Sequence, residues 1–240
     1  MSAYSASLPF DIKELMHPDV SALLIHKIIT MERPQTIVAQ TREEMCQNVK
    51  DYLLETLAHL IKYNGLISIG VSGYDRHFFN FKIYGSIYNT FSAFVLYYGF
   101  AFSASKTALL YETTLRSTLC PEQIGRLPRF DMLFLGMGPD GHTCSLFPNH
   151  RLLQKCLQND LLTWVVAITD SPKPPSQRIS LTLSVLNAAK NVAFIVTGEE
   201  KAAMVKSVVD SENLHVPASF VRPFSKKLRF FLDKDAASKL

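Results

Sequence analysis

The chain is expected to fold as an α/β domain, an open, mostly parallel sheet with helices on both faces. Three observations predict this. From Thr36 onward, short β-branched or aliphatic runs alternate with helical segments, the order that a parallel sheet with crossover helices requires. Thr41 followed three positions later by Glu44 forms a capping box that opens a helix just after the first such run. A glycine-rich turn, Gly136 to Gly141, follows the apolar run Asp131 to Leu135, where open α/β sheets bind their ligands.

Each element has its own warrant. Thr36 to Ala39 is the first strand. The helix after Thr41 places Met45, Val49, Leu53, Leu57 and Leu60 on one face at spacings of three and four, and Gly65 stops it. Leu66 to Val71, Asp131 to Leu135, Thr163 to Thr169 and Val192 to Val196 are apolar runs short enough for buried strands. Lys106 to Leu119 and Glu199 to Val209 read as helices, the second after the Thr197-Gly198 turn. Residues 1–34 stand apart as an extension without an assigned function. Phe10 to Thr30 could form a short amphipathic helix, but Pro9, Pro18 and Pro34 break up the region. Residues 35–240 form one domain, since neither an internal repeat nor a long linker divides them.

Composition narrows the function. With 240 residues, 48% of them hydrophobic, the chain can build a sizeable core. A net charge of +4 is mildly basic and lacks the clustered Lys and Arg of a nucleic-acid binder, so a small anionic substrate fits better. Cys46, Cys120, Cys144 and Cys156 are widely spaced, without a C-x-x-C pair or histidines at zinc spacing. They read as reduced thiols, with no metal site. Met1 to Thr30 has neither the charged start nor the apolar run of a secretory signal, so a cytoplasmic protein is expected, and a monomer.

One stretch interrupts the pattern. Ile83 to Ser105 has no charged residue and is crowded with Tyr, Phe, Ser and Asn. It is as long as a membrane span, which takes about 20 apolar residues. Asn89, Thr90 and several Ser and Tyr dilute it, and the α/β pattern continues on both sides, so a membrane helix is disfavoured. A buried core helix or strand pair is the plainer alternative.

The chemistry concentrates at Gly136-Met-Gly-Pro-Asp140-Gly-His142. Gly136, Gly138 and Gly141 allow positive φ and close backbone approach, with N–H groups facing an anion. The spacing is neither G-x-G-x-x-G nor a Walker A motif. His142 is a candidate general base and Asp140 a candidate orienter of its ring. Alone, a loop histidine is more often solvated or structural.

The run DMLFLGMGPDGHTCSLFPNH, Asp131 to His150, closely resembles the signature of 6-phosphogluconolactonases, which share a superfamily with glucosamine-6-phosphate deaminases. Thr143 to Pro148 after His142 is lactonase-like, whereas the deaminases carry an Asn-Glu-Pro type ending. A second block resembling the family runs from Asp170 to Leu183 with Asn187 beyond it, a third from Val196 to Ala202, and Pro217 to Val221 fits the family's late strand region. Resemblance is weak over Thr36 to Val71 and strong from Lys106 onward.

The resemblance implies hydrolysis of 6-phospho-D-glucono-1,5-lactone to 6-phospho-D-gluconate in the oxidative pentose phosphate pathway. No cofactor is needed. His142 and Asp140 are then the catalytic pair, and Ser72, Gly73, Gly138, Gly141, Lys173 and Arg178 bind substrate phosphate. Lys173 and Arg178 lie in a proline-stiffened loop, and Arg178 offers a bidentate fork.

The chain also departs from the family. The family's Ser-Gly-Gly is here Val71-Ser72-Gly73-Tyr74, and an Asp-Glu-Arg block is missing where the uncharged stretch stands. One α/β unit between Tyr74 and Ser105 is therefore expected to be disrupted. Divergence or splicing could cause this, as could a gene model that retains an intron; the Phe, Tyr, Ile, Asn and Ser content favours the intron. The alternatives to lactone hydrolysis are an inactive sugar-phosphate-binding relative and, less favoured, an amino-sugar phosphate deaminase.

Overall fold

The computed structural model describes residues 33–62, 67–72, 91–94, 103–119, 127–157, 163–211 and 215–240, with only the backbone for 91–94. The helix expected over Phe10 to Thr30, the stop at Gly65, and Gly73 lie outside the described residues.

Strand β1 (Gln35–Ala39) leads into helix α1 (Arg42–Ile61). Thr41 is the N-cap, its Oγ1 accepting the Glu44 N–H at 3.1 Å. The return half of the capping box is shifted by one residue, because the Glu44 carboxylate accepts from the Gln40 N–H at 2.7 Å. Met45, Val49, Leu53 and Leu57 are buried as their spacing requires, while Leu60 is half-buried.

The other elements are β2 (Ile67–Ser72), β3 (Phe91–Phe94), α2 (Ala104–Leu119), β4 (Met132–Leu135), α3 (Arg151–Leu157), β5 (Val165–Ile168), β6 (Arg178–Leu181), α4 (Leu183–Ala188), β7 (Val192–Val196), α5 (Ala202–Val209) and β8 (Leu228–Asp233). Six strands form one sheet in the order β1-β8-β7-β4-β2-β3, every neighbouring pair parallel. Side chains alternate between two cores. Leu133 and Leu135 of β4 face one core, with Phe194 and Phe230; Met132 and Phe134 face the other, with Val49 and Phe231. Burial on both faces is why these strands read as continuous apolar runs rather than alternating ones.

Two expectations change. Thr163 to Thr169 contains a strand, β5, but it leaves the main sheet and pairs antiparallel with β6. It docks on α2 instead, where the Glu112 carboxylate accepts the N–H groups of Trp164 and Val165 at 2.9 and 3.0 Å. Arg116 holds the other Glu112 oxygen at 2.6 Å and lies 4.0 Å over the Trp164 ring. Pro217 to Val221 is not a strand, because Pro217 opens a short 3-10 helix over Pro217–Phe220. The late strand is β8, inserted between β1 and β7. The stretch read as disrupted supplies at least β3, at the sheet edge and parallel to β2.

Arg222 is 3% exposed and meets carbonyls where a carboxylate partner would be expected. It donates to Val208 O and Val221 O, both at 3.0 Å, and burial lowers its guanidinium to about 10. Val208 lies in the last turn of α5, so the cation caps the negative end of that helix. Arg222→Ala should therefore lower unfolding free energy by about 2–4 kcal/mol, from the cavity and the orphaned carbonyls together. Urea titration reads this directly, and a loss below about 0.5 kcal/mol, typical of a surface change, would contradict the capping account.

Candidate active site

The carboxyl ends of β2, β4 and β7 lie side by side and open into a cavity of 690 Å³. Its walls include Ser72, the Gly136–Pro139 turn, His142 and Cys144, together with Lys173, Arg178, Thr197 and Lys201. Such a crevice at strand carboxyl ends is the usual ligand position of an open α/β sheet.

The turn after β4 is closed by its own hydrogen bonds. Gly136 N–H donates to Ser72 O at 2.8 Å, Gly138 N–H to His142 O at 2.9 Å, and Gly141 N–H to Gly138 O at 2.9 Å. These three N–H groups therefore do not face an anion, which corrects the cradle expected of Gly138 and Gly141. The glycines act sterically. A Cβ on Gly138 would lie 2.1 Å from His142 Cε1 and 2.6 Å from Asp140 Oδ1. Gly141 has φ +77, and a Cβ there would meet Val216 Cβ at 2.6 Å. Thr143 Oγ1 donates to Gly136 O at 2.8 Å and locks the far side of the turn.

His142 Nδ1 is 2.5 Å from Asp140 Oδ1, and Lys173 Nζ is 3.0 Å from Asp140 Oδ2. Phe147 packs on the imidazole with ring centroids 4.8 Å apart. Nε2 has no hydrogen-bond partner among the described residues. Burial is the main cause that lowers the His142 pKa; the Asp140 hydrogen bond and charge raise it, and the Lys173 and Arg178 charges lower it again. The net shift favours the neutral ring that a general base requires. For Asp140, partial burial works against ionisation, but hydrogen bonds and charges from His142 and Lys173 outweigh it and hold the carboxyl below its usual range.

The second sequence block forms the facing wall. Asp170 is bound by His150 at 3.2 Å and Arg151 at 3.4 Å, and Ser180 Oγ accepts the Ser145 N–H at 3.2 Å, so the two blocks are joined. Arg178 does not present the expected fork. Its Nε donates to Pro175 O at 3.1 Å, and Nη2 donates to Pro174 O at 2.6 Å and Lys173 O at 3.2 Å. The guanidinium braces the loop, and Arg178 remains part of the cavity wall. Asn187 is structural, binding Phe220 O and the Arg222 N–H.

Thr197 and Lys201 line the cavity but were not among the residues expected to bind phosphate. Gly198 has φ +98 and its N–H is held by Asp233 at 3.1 Å, which turns the chain so that Lys201 comes back over the cavity. A Gly-x-x-Lys after a buried strand was the available signal. Ser72 lines the cavity and its hydroxyl bonds the Cys144 thiol, whose pKa is raised chiefly by burial. No cluster of His, Cys, Asp or Glu among the described residues could hold a metal ion. No described helix is long and apolar enough to cross a membrane.

Comparison with known proteins is consistent with this arrangement. Human 6-phosphogluconolactonase is 54% identical over 112 residues, 46% of this chain and 42% of that protein, so the chain spans less than half of this relative's length. The structure of 6-phosphogluconolactonase from Trypanosoma brucei superposes with a TM-score of 0.67 at 20% identity, covering 88% of this chain and 100% of that one. A monomeric glucosamine-6-phosphate deaminase superposes at 0.52 with 15% identity and 86% of this chain covered, so the fold is common to both activities. Residues 88–230 match the family described as glucosamine-6-phosphate isomerases/6-phosphogluconolactonase, a match that begins inside the uncharged stretch. The chain belongs to that family.

Proposed function

We propose that this chain hydrolyses 6-phospho-D-glucono-1,5-lactone to 6-phospho-D-gluconate, the lactone-opening step of the oxidative pentose phosphate pathway. The observation that carries the proposal is the His142 imidazole, anchored by Asp140 through Nδ1 on the wall of a cavity also lined by Lys173, Arg178 and Lys201. Water attacks the lactone C1 carbonyl while Nε2 takes its proton. The tetrahedral intermediate collapses, and the imidazolium, stabilised by Asp140, returns the proton to the departing ring oxygen. Lys201 and Arg178, both on the cavity wall, supply positive charge for the phosphate. General acid–base help of this kind is worth about 10²–10⁴-fold, enough for an ester that already opens slowly in water.

The same reading has the enzyme working in the cytoplasm as a monomer, with no cofactor and no nucleic-acid partner. Cys46, Cys144 and Cys156 form no disulfide among the described residues, in keeping with a reducing compartment. Supplied with the lactone and with glucosamine 6-phosphate, the chain should open the first and leave the second unchanged. Deamination of the amino sugar would reverse the assignment.

A pH dependence follows from the His142 shift. Because its pKa is lowered, the imidazole stays deprotonated below the ordinary value of 6.5. The acid limb of kcat/KM should therefore fall below pH 6.5, with activity lost as pH drops through it. A limb above pH 7 would show that another group is the base.

A further inference from the structure

The sequence pattern gives Lys173 to the substrate phosphate; its contacts give it different work. We propose that Lys173 is a positioning residue, which bridges Asp140 and His142 so that Asp140 stays an ionised acceptor and His142 keeps Nε2 as the free base. The proposal rests on the lactonase reading of this site and deepens it.

The three groups form a closed triangle. Asp140 Oδ1 is 2.5 Å from His142 Nδ1, Lys173 Nζ is 3.0 Å from Asp140 Oδ2, and Lys173 Nζ is 3.4 Å from His142 Nδ1. For a neutral imidazole the triangle admits one assignment of protons. If Nδ1 carried a lone pair, a carboxylate oxygen would face it at hydrogen-bond distance with no proton between them. Nδ1 therefore carries the hydrogen and donates to Asp140, which leaves the lone pair on Nε2. An ammonium has donors only, so its approach to Nδ1–H is not a hydrogen bond. It brings a positive charge beside the ring, which opposes an imidazolium.

The charged neighbours of His142 are Asp140 in its own turn and Lys173 and Arg178 on the facing loop and strand. Burial is the largest cause opposing the protonated ring; Asp140 favours it, and the two cations add to the opposition. Lys173 is also preset for this work. Its carbonyl accepts from Ser171 Oγ at 2.7 Å and Arg178 Nη2 at 3.2 Å, and its N–H donates to Ser171 Oγ at 3.3 Å. The Lys173 ammonium already commits a donor to Asp140, at 3.0 Å from Oδ2.

The test uses the full chain with Lys173→Met and Lys173→Arg. The His142 ring is titrated by NMR in the free protein, and pH profiles of kcat and KM are recorded on the lactone. In Lys173→Met the ring should titrate at higher pH than in the wild type, and the acid limb should move with it. At a pH just above the wild-type limb kcat should fall and should recover at higher pH, with KM changed less than about threefold. Lys173→Arg should keep the wild-type profile. An unchanged ring titration, or KM raised about tenfold with kcat and its pH profile unaltered, would overturn the proposal and return Lys173 to the phosphate. If the wild-type chain does not hydrolyse the lactone, the proposed function fails, and the ring titration still decides what Lys173 does.

Discussion

Replacing His142 by alanine should cut kcat for lactone hydrolysis by about 10²–10⁴-fold, the usual worth of a positioned acid–base group. KM should change little, because the cations at the cavity edge, Lys201 and Arg178, are untouched. The turn itself should survive. Gly138 N–H bonds the backbone carbonyl of residue 142, which alanine retains, and Thr143 still ties the turn to Gly136. Asp140 is a poor substitute base, since its hydrogen bonds hold its pKa below the ordinary carboxylate range. Steady-state kinetics beside a thermal melt would check this. A variant with full activity would remove His142 from the mechanism.

Gly138→Ala should come second, at about 10²-fold in kcat, the cost of moving a catalytic group by about 1 Å. The new methyl would lie 2.2 Å from His142 Nδ1 and 2.1 Å from Cε1, so the imidazole must shift. Gly138 is not a left-handed residue here, so the backbone can accept alanine, and the damage falls on the His142–Asp140 alignment rather than on the fold. Kinetics together with a crystal structure of the variant would show it. An unmoved ring with kcat within about twofold of wild type would contradict the steric role given to this glycine.

Most of the sheet could be read locally because its strands carry their own signal. Met132 to Leu135 and Val192 to Val196 are buried on both faces, and Thr41 and Glu44 mark the start of α1. What escaped was non-local. Nothing near Val165 says that it pairs with Leu181 rather than with a central strand; Glu112, 52 residues before Trp164, holds that hairpin in place. Leu228 to Asp233 carried an apolar run, but Pro217 to Val221 drew the late-strand assignment although a proline there suits a 3-10 start.

The site divides in the same way. His142 and Asp140 are two residues apart, and their pairing was visible in the sequence. Lys173 meets them from 31 residues away, so its residue type suggested a phosphate ligand while its contacts suggest a brace. Glycines were read as anion cradles because sequence shows permissive backbone but not where each N–H points. Lys201 lay in a block already read as family-like, but its place on the cavity wall depends on the turn at Gly198.

The most direct measurement is the rate at which the purified chain consumes 6-phospho-D-glucono-1,5-lactone, set against spontaneous hydrolysis in the same buffer. The chain should accelerate ring opening and yield 6-phospho-D-gluconate in proportion to its concentration, with the acid limb of the profile below pH 6.5. A folded chain that binds 6-phospho-D-gluconate, yet opens the lactone no faster than buffer, would contradict the account.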